Sequence, residues 1–519
     1  MISKDKSKFI LKESTREEFN NLSNWLNPFV KNYRFMPRFK LTNWDGRFDY
    51  FNKGNMDFGL WHEAFKCCKE YGYPFTVINK DEFPRDDKIT LDDVQNFVNE
   101  FFKGFKNSKG EDFIPYTHQV EAAYKMLKHR YGHIEVATSG GKSLIFSIMV
   151  FYILFRKPTA KILLIVPSIS LVTQFYDDML DYNLGFNKEN QNPLDLRIQE
   201  IMSDKPRKVR DDKEPNIYIG TYQSLINWGS DALEPNFFKQ FNVVMVDESH
   251  KASANELSTI LKRTFGYAHY RLGMSGTYPL EGTSELMAIE SVTGPKLMTV
   301  KARELMDKGL ISNVKIKALI LQYDDREFAE SVYSIKKHGG GRRAYDIEKE
   351  YVQNSDKRKM FLGKLVNKFN SNSLVLFHNI AYGTALYDYF RSNVIGKDFY
   401  YIDGSTPSQK REYIKKQMEM TDGNPKVLVG SYQTIATGWS VKAITNVIFA
   451  DSFKSAHIVI QAIGRSLRLH DEKDKAIIFD IVDQFHSNFK TILYNHYISR
   501  RDDLYKKHDY PYDELKIVI

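Results

Sequence analysis

Ten short apolar runs, in two sets of five, constrain the fold of this chain more than any other feature. The first set occupies residues 134–138, 161–167, 217–221, 242–247 and 271–275, and the second occupies residues 374–378, 399–403, 426–430, 446–451 and 476–480. The runs are rich in Val, Ile and Leu, end in small or polar residues and alternate with helical patterns. Strands covered by helices on both faces of a parallel sheet have this composition. The pattern therefore predicts two α/β lobes of similar size.

The composition narrows the class of protein. Lys and Arg total 74 against 65 for Asp and Glu, and this net charge of +9 is compatible with a polyanionic partner without proving one. The two cysteines, Cys67 and Cys68, are adjacent, so we expect neither a disulfide staple nor a zinc site, and a reducing cytoplasmic compartment. Because the first 15 residues are charged, we expect no signal peptide, and the longest apolar run, residues 144–155, is shorter than the ~20 residues that cross a bilayer. We expect a soluble protein with no membrane partner, in which this run is a buried helix.

Residues 31–48 interleave basic and aromatic side chains, and we call them the basic-aromatic segment. The basic members are Lys31, Arg34, Arg38, Lys40 and Arg47, and the aromatic members are Tyr33, Phe35, Phe39, Trp44 and Phe48. Asp45-Gly46 predicts a turn, which would make the segment a hairpin. Arg34, Arg38 and Arg47 are expected to contact nucleic-acid phosphates. The aromatic side chains have two interpretations: the core of a small β-rich domain, which we favour, or a stacking surface where strands part.

A glycine-rich sequence, Ala-Thr-Ser-Gly-Gly-Lys-Ser at residues 137–143, joins the first predicted strand to the apolar helix. A phosphate group needs backbone N–H groups that point inward and a helix N-terminus behind them. The residues expected to cradle the phosphates of ATP are Thr138, Ser139, Gly140 and Gly141. Lys142 would reach the β- and γ-phosphates, and Ser143 would bind Mg²⁺. Because Val136 replaces the first Gly of the usual motif, a glycine-rich turn without a ligand is the alternative.

An acidic pair directly follows another of the apolar runs, in the sequence Asp-Glu-Ser-His at residues 247–250. Asp247 would hold the Mg²⁺ shell, and Glu248 would orient and deprotonate the attacking water. Taken singly, such a pair is more typical of a solvated loop start. The pair indicates a catalytic function because it lies in the lobe that begins with the glycine-rich sequence.

A third motif, Gln-Ala-Ile-Gly-Arg-Ser-Leu-Arg at residues 461–468, lies in the second lobe. Arg465 and Arg468 are three residues apart, so both face one side of a helix. Two such arginines suit the charge that develops on a departing γ-phosphate. A basic surface helix is the alternative for this motif alone.

The order of these three motifs on two α/β lobes resembles that of the superfamily-two helicases, over about residues 111–485. The resemblance implies two tandem RecA-like parallel-sheet lobes, a small N-terminal α+β nucleic-acid-binding domain and a short helical C-terminal extension. It implies that Tyr116 and Gln119 bind adenine and that Gln461 acts with Glu248 and the two arginines in catalysis. The residues implied to contact nucleic acid are Ser168, Gln174, Thr221, Ser224, His378, Thr434 and Thr437. Those implied to couple hydrolysis to lobe movement are His250, Ser275 and Thr277.

Two residues depart from the wider superfamily, Ser139 in the phosphate loop and Ser440 in the second lobe. Both departures agree with a narrower resemblance, to the UvsW-type recombination helicases of large tailed phages, which also covers residues 33–39 and 43–47. That resemblance implies ATP- and Mg²⁺-dependent remodelling of branched DNA: fork regression, Holliday-junction migration, and unwinding of D-loops and R-loops. The implied partners are branched, forked and single-stranded DNA, RNA–DNA hybrids, and a single-strand-binding protein or recombinase. The protein would act as a monomer in the host cytoplasm.

The domain organisation follows from the change in texture near residue 111 and from the motifs. We expect an N-terminal basic and aromatic DNA-binding domain with its linker at 1–110, a first lobe at 111–310, an interlobe connector at 311–355, a second lobe at 356–485 and a helical extension at 486–519. Two enzyme alternatives remain open, an RNA helicase and a restriction-type translocase. A third alternative is a nucleic-acid-binding or annealing module with a regulatory ATPase.

Overall fold

The computed structural model describes residues 8–30, 32–78, 83–107, 110–185, 193–202, 214–228, 236–253, 255–420, 423–436, 443–452 and 475–519. The chain divides into two compact units. The first comprises residues 1–136 and 141–300, and the second comprises residues 137–140 and 301–519.

The N-terminal part of the first unit is a small α+β domain. Its strands β1 (Lys8–Ile10), β2 (Phe51–Asn52) and β3 (Asn55–Asp57) form an antiparallel sheet in the order β1-β3-β2. Its helices are α1 (Arg16–Leu26), α2 (Pro37–Leu41), α3 (Trp61–Glu70) and α4 (Leu91–Phe101), with 3-10 turns at Tyr33–Phe35 and Phe58–Leu60. Helix α1 begins at a capping box, in which Thr15 Oγ1 accepts the Glu18 N–H at 3.2 Å and the Glu18 carboxylate accepts the Thr15 N–H at 2.6 Å.

The basic-aromatic segment is not a hairpin, so that prediction is wrong. Its first half is helical, because Pro37 at the first position of α2 pre-sets the helical φ. The expected turn is present, with Gly46 at a φ of +84° and the Arg47 N–H donating to Asp45 Oδ1 at 3.0 Å. The hairpin of this domain is instead β2–β3, which turns through Lys53 and Gly54, both at positive φ.

The rest of the first unit is a lobe built on a parallel sheet. The strands are β4 (Tyr131–Val136), β5 (Ile162–Val166), β6 (Ile198–Ile201), β7 (Ile217–Thr221), β8 (Val243–Asp247), β9 (Tyr270–Ser275) and β10 (Lys296–Val300), in the order β10-β4-β9-β8-β5-β7-β6. The helices are α5 (Thr117–His129), α6 (Lys142–Arg156), α7 (Ile169–Leu184), α8 (Tyr222–Trp228), α9 (Asn255–Arg263) and α10 (Ser284–Thr293), with 3-10 turns at Phe237–Gln240 and Ser249–Ser253. The five strands predicted for this lobe are confirmed, and β6 and β10 add its two edges.

Helix α6 carries the longest apolar run of the chain. Every residue from Leu144 to Leu154 is buried, as expected for a helix that is apolar on all sides. The prediction of a buried helix is therefore confirmed. Among the described residues, no helix combines the length and the apolar composition that a membrane span requires.

The second unit contains another parallel sheet. Its strands are β11 (Asn313–Gln322), β12 (Ser373–Phe377), β13 (Asp398–Ile402), β14 (Lys426–Ser431), β15 (Asn446–Phe449), β16 (Lys475–Gln484) and β17 (Tyr512–Val518), in the order β13-β14-β12-β15-β16-β11-β17. Its helices are α11 (Ala302–Asp307), α12 (Arg326–Lys337), α13 (Gly341–Asn354), α14 (Asp356–Asn367), α15 (Ile380–Asn393), α16 (Ser408–Glu419), α17 (Tyr432–Ala436) and α18 (Ile492–Arg500), which continues as a π-helical turn at Arg501–Lys506. The two tandem parallel-sheet lobes are confirmed.

Two strands of this sheet lie outside residues 356–485, where the sequence predicted the second lobe. Strand β11 falls in the expected connector, and β17 ends the expected helical extension and pairs with β11. β17 is an edge strand, and its Asp513, Glu514 and Leu515 are exposed. Helix α18 lies in residues 486–519, where the sequence predicted a helical extension.

Two buried ion pairs fasten helices to β16. Arg358 on α14 reaches Asp483 at 2.8 Å, and Arg500 at the end of α18 reaches Asp480 at 2.9 Å. Each aspartate also accepts a tyrosine hydroxyl, from Tyr323 to Asp483 at 2.7 Å and from Tyr505 to Asp480 at 2.8 Å. Removing one partner of such a pair would leave an uncompensated buried charge.

Candidate functional site

Three neighbouring strands of the first lobe bring the candidate catalytic groups to one edge of the sheet. Strand β9 lies between β4 and β8, and all three run parallel. The phosphate loop follows β4, Asp247 ends β8 and Ser275 ends β9. Ligands of open α/β sheets bind at this carboxyl edge, so the expected site is formed by residues far apart in sequence.

The loop between β4 and α6 has the backbone conformation that a phosphate cradle requires. Ser139 and Gly141 adopt positive φ angles of 69° and 82°, and the Gly140 N–H donates to the Ala137 carbonyl at 2.9 Å. Gly141 directly precedes α6, and its left-handed conformation begins that helix. A side chain at residue 141 would be unfavourable for two reasons. The positive φ disfavours any residue with a Cβ atom, and that atom would collide with a neighbouring side chain.

That contact is with Gln119, one of the two residues expected to bind adenine. A Cβ atom on Gly141 would lie 2.0 Å from Gln119 Nε2. Gln119 is buried and accepts the Tyr116 N–H through Oε1 at 2.8 Å, whereas the Tyr116 side chain is 43% exposed. Gln119 therefore meets the phosphate loop, and the Tyr116 ring, whose backbone is bound to Gln119, is accessible.

Lys142 forms the electrostatic centre of the site. Its Nζ lies 2.8 Å from Glu248 Oε1 and 3.5 Å from Asp247 Oδ1. Burial by itself would lower the pKa of Lys142, but the two carboxylates outweigh burial and raise it. Burial raises the pKa of Asp247, and the positive charge of Lys142 offsets part of that rise. The lysine is thus held protonated, ready to bind an anionic phosphate.

Glu248 is held by more than its lysine partner. It adopts a φ of +53°, a left-handed conformation that is uncommon for a residue with a side chain. Its Oε2 accepts a hydrogen bond from Ser275 Oγ at 3.1 Å and lies 3.3 Å from His250 Nδ1. Ser275 Oγ in turn lies 2.9 Å from His250 Nδ1 and accepts the Thr277 N–H at 3.3 Å. The candidate base therefore contacts all three residues expected to couple hydrolysis to movement, directly or through Ser275.

The donor set of this site fits a magnesium ion. Asp247 Oδ1 is buried and is a carboxylate oxygen of the kind that a hard cation binds, and its ion-pair partner Lys142 Nζ lies 3.5 Å away. Ser143 lies in the first turn of α6, where its hydroxyl is hydrogen-bonded to Tyr182. Burial, the larger effect, raises the pKa of Tyr182 to about 12, and the Ser143 hydrogen bond lowers it.

The expected nucleic-acid contacts include hydroxyls that the structure pairs with one another. In the first unit, Thr221 Oγ1 donates to Ser224 Oγ at 2.9 Å, and both side chains are buried. In the second unit, Ser431 Oγ and Thr434 Oγ1 lie 2.8 Å apart and are also buried. Both pairs lie in a Gly-[Thr/Ser]-Tyr-Gln-[Ser/Thr] sequence, at residues 220–224 and 430–434, that joins a strand to a helix. The exposed side chain in each copy is the glutamine, Gln223 or Gln433.

The remaining expected contacts in the lobes are more accessible. Ser168 directly precedes α7 and lies 3.1 Å from Ser170 Oγ, and Gln174 is exposed on the same helix. His378 is exposed after β12, and its N–H donates to Asp451 Oδ2 at 2.8 Å. Asp451 was not predicted to take part, although its position at the end of an apolar run is the same signal that identified Asp247.

The remaining candidates of the second lobe lie outside the described residues. These are Gln461, Arg465, Arg468, Thr437 and Ser440. Their assignments stay predictions. In the N-terminal domain, Arg34 and Arg38 are exposed, and Arg47 is half-buried and donates to the Asn27 carbonyl at 2.9 Å.

Three family models match separate parts of the sequence. The model "DNA helicase UvsW, N-terminal" matches residues 4–78, "Type III restriction enzyme, res subunit" matches residues 112–280, and "Helicase conserved C-terminal domain" matches residues 356–470. The three matches follow the order of the N-terminal domain, the first lobe and the second lobe.

Comparison with known proteins gives the same picture. The chain is 28% identical over 474 residues to the ATP-dependent DNA helicase uvsW of Enterobacteria phage T4, a match that covers 90% of this chain and 87% of the relative. The DNA-bound type ISP restriction-modification enzyme LlaBIII aligns with 78% of this chain and 32% of its own at a TM-score of 0.58 and 13% identity. A putative HsdR subunit of a type I restriction enzyme from Vibrio vulnificus aligns with 89% of this chain and 78% of its own at a TM-score of 0.53 and 14% identity. The two structures share the fold. The resemblance drawn from the motifs of this chain is therefore confirmed.

Proposed function

We propose that this chain is an ATP-dependent DNA helicase or translocase that remodels branched DNA. The observation that carries the proposal is the contact of Lys142 with Asp247 and Glu248, at 3.5 and 2.8 Å, at the carboxyl edge of a parallel sheet. A phosphate loop lysine beside an acidic pair is the arrangement that phosphoryl transfer from a nucleoside triphosphate uses. The substrate class rests on the similarity to the phage T4 helicase over 90% of the chain.

In ATP hydrolysis, each residue of the site has a separate role. Lys142 binds the β- and γ-phosphates, and the loop N–H groups of residues 138–141 surround them. Glu248, oriented by Ser275, takes a proton from the attacking water. Arg465 and Arg468 supply positive charge to the γ-phosphate as it leaves.

Magnesium would be held by Ser143 and Asp247. When bound, the ion neutralises charge that develops on the β- and γ-phosphates. Asp247 is suited to this role because its carboxylate is buried at the end of β8, with Oδ1 3.5 Å from the phosphate loop lysine.

DNA would be held by groups that contact the phosphate backbone, so the motor should tolerate any sequence. Gln174 and His378 are exposed in the structure, whereas Thr221, Ser224 and Thr434 are buried and act through the turns that they stabilise. Arg34, Arg38 and Arg47 extend the contact to the N-terminal domain. Fork regression, Holliday-junction migration and the unwinding of D-loops and R-loops are the reactions that we assign to this machinery.

The proposal extends to the cellular setting of the chain, to its domain boundaries and to RNA–DNA hybrids as substrates. The chain would act as a monomer in the cytoplasm of a phage host, beside a single-strand-binding protein or recombinase. The division at residues 110, 310, 355 and 485 remains our proposal for the domains, with β11 and β17 completing the sheet of the second lobe. RNA–DNA hybrids would be substrates of the same site.

The test measures ATP hydrolysis and strand exchange together. The substrates are single-stranded DNA, duplex, a fork, a four-way junction, an RNA–DNA R-loop and single-stranded RNA, and the variants are Lys142→Ala and Arg465→Ala. Hydrolysis stimulated by branched DNA, with strand exchange that both variants lose, is the expected result. Stimulation by single-stranded RNA alone would instead identify an RNA helicase. DNA binding without any stimulated hydrolysis would leave a binding or annealing module.

A restriction-type translocase is a second candidate, because the model matched by residues 112–280 describes a restriction subunit. Such a motor moves along duplex DNA without separating its strands. Displacement of a triplex-forming strand from a long duplex, with no strand exchange on forks, would favour it.

A further inference from the structure

The large apolar side chains of the basic-aromatic segment fall into two groups. Tyr33 stacks on Phe29 with ring centroids 4.9 Å apart, and Phe39 meets the edge of Tyr33 at 4.9 Å. Gly46 lies directly beneath Tyr33, since a Cβ there would come within 2.1 Å of the ring. Trp44 Nε1 donates to the Arg47 carbonyl at 2.8 Å. These rings pack on one another but lie outside the buried core of the domain, so the core interpretation that we favoured for the aromatic side chains is wrong.

Phe35 and Leu41 form the second group, and both point into solvent. Phe35 is 79% exposed and Leu41 is 82% exposed. The core of the domain is built elsewhere, around Leu26, Phe51 and Leu60. Single exposed apolar side chains are ordinary, but these two end successive short helical turns of one segment, at Tyr33–Phe35 and Pro37–Leu41.

The segment that carries these two side chains is rich in basic residues. Among the ion pairs of the described residues, none involves Arg34, Arg38, Lys40 or Arg47. Arg38 lies 4.9 Å from the Trp44 ring and Arg47 lies 4.0 Å from the Phe29 ring, so rings rather than carboxylates orient these guanidinium groups. Unneutralised guanidinium groups of this kind are suited to phosphate.

The segment is also anchored at its base. It therefore has little freedom to fold over Phe35 and Leu41 and bury them. Phe29 and Arg47 form an antiparallel bridge at its base, the Val30 N–H donates to the Gly46 carbonyl at 2.8 Å, and the Phe48 N–H donates to the Pro28 carbonyl at 3.0 Å. The segment that carries Phe35 and Leu41 is therefore fixed at its base.

We propose that the basic-aromatic segment binds the branch point of DNA, with Phe35 and Leu41 packed against the last base pair where strands part and the arginines on the flanking phosphates. This inference rests on the proposed function and adds the element that recognises the branch. Phosphates and an exposed base face occur together at a branch point, whereas the base pairs of an intact duplex are stacked on both sides. A base stacked on Phe35 replaces the neighbour that it loses when the strands part.

The experiment compares two activities of the full-length protein. Phe35→Ala and Leu41→Ala are measured for hydrolysis stimulated by single-stranded DNA and for regression of a fork that carries 2-aminopurine at the branch. Phe155→Ala and Ile395→Ala, which are 61% and 90% exposed at other sites, serve as matched controls. Phe35→Trp keeps a stacking surface.

We expect Phe35→Ala to slow fork regression by about tenfold and to weaken the fluorescence change at the branch, with single-strand-stimulated hydrolysis within about twofold of wild type. Phe35→Trp and both controls should regress forks normally, and Leu41→Ala should show a smaller loss. Normal fork regression by Phe35→Ala, or an equal loss of both activities, would overturn the inference. Wild-type protein without any DNA-stimulated hydrolysis would refute the proposed function itself, which separates the two failures.

Discussion

Ser275 at the end of β9 donates a hydrogen bond of 3.1 Å to Glu248 just beyond the end of β8. This hydroxyl aligns the candidate base without contacting the phosphate loop lysine, so its removal should affect hydrolysis more than nucleotide binding. We expect Ser275→Ala to lower kcat for ATP by about tenfold, a part of the effect of a complete general base, and to leave KM nearly unchanged. Steady-state hydrolysis in the presence of single-stranded DNA measures both constants.

Ser275→Thr is the matched control for that prediction, because it keeps the hydroxyl. It should retain most of the activity. If Ser275→Ala raised KM and left kcat intact, Ser275 would be a nucleotide-binding residue and its assignment as the orienting group of Glu248 would be wrong.

Gly141 is predicted to tolerate no side chain. Its φ of +82° opposes even a methyl group, and a Cβ atom at this position would lie only 2.0 Å from Gln119 Nε2. We expect Gly141→Ala to weaken nucleotide binding by at least about tenfold through distortion of the phosphate loop. Gly404→Ala is the control, because a Cβ there would contact nothing within 4 Å. Fluorescent ATP binding measures the effect, and wild-type affinity in Gly141→Ala would contradict the assigned loop geometry.

The catalytic half of the site could be predicted from sequence for a physical reason. Lys142, Asp247 and Ser275 each come at or soon after the end of an apolar run, and parallel strands bring their carboxyl ends to one edge. The order of the strands along the sheet was not needed to place them together.

Other features depended on contacts that no local pattern contains. The burial of Thr221 follows from its hydrogen bond to Ser224, and this bond forms only when the turn after β7 packs into the lobe. Strand β17 has three charged residues among its seven and no strict alternation, and it becomes a strand through its pairing with β11, about 200 residues earlier in the chain. Phe35 and Phe39 both lie in the basic-aromatic segment, and its sequence does not distinguish them. Phe35 is exposed, whereas Phe39 packs on Tyr33.

The arginines of the basic-aromatic segment predict a specific salt dependence. Each guanidinium that neutralises a DNA phosphate releases counterions, so its loss should reduce the slope of log K against log salt by about 0.9 on duplex DNA. We expect Arg34→Gln and Arg38→Gln each to show this change for forked DNA, without sequence preference. Arg303→Gln is the control, because Arg303 is already paired with Asp307 at 3.0 Å. Unchanged slopes in both variants would remove these arginines from the DNA contact.

His133 gives the first unit a dependence on pH. It is fully buried in β4 and lies 3.0 Å from the Gly294 carbonyl through Nδ1. Burial lowers the pKa of His133 from 6.5 to about 3, against an opposing effect of that hydrogen bond. The unfolded chain therefore binds a proton near pH 6.5 that the folded chain does not bind, so stability is full above this pH and falls as pH drops towards 3.

The loss of stability caused by His133 has a definite size, and a variant that cannot titrate at this position should remove it. Between pH 8 and pH 5, the free energy of unfolding should fall by about 2 kcal/mol on account of His133. His133→Asn keeps a donor for the Gly294 carbonyl and cannot titrate, so its stability should fall by about 2 kcal/mol less over the same range. His338→Asn, at an exposed histidine, should behave as wild type. Urea unfolding at both pH values measures the difference, and equal pH dependence in His133→Asn and wild type would show that His133 is protonated in the folded protein or is not buried.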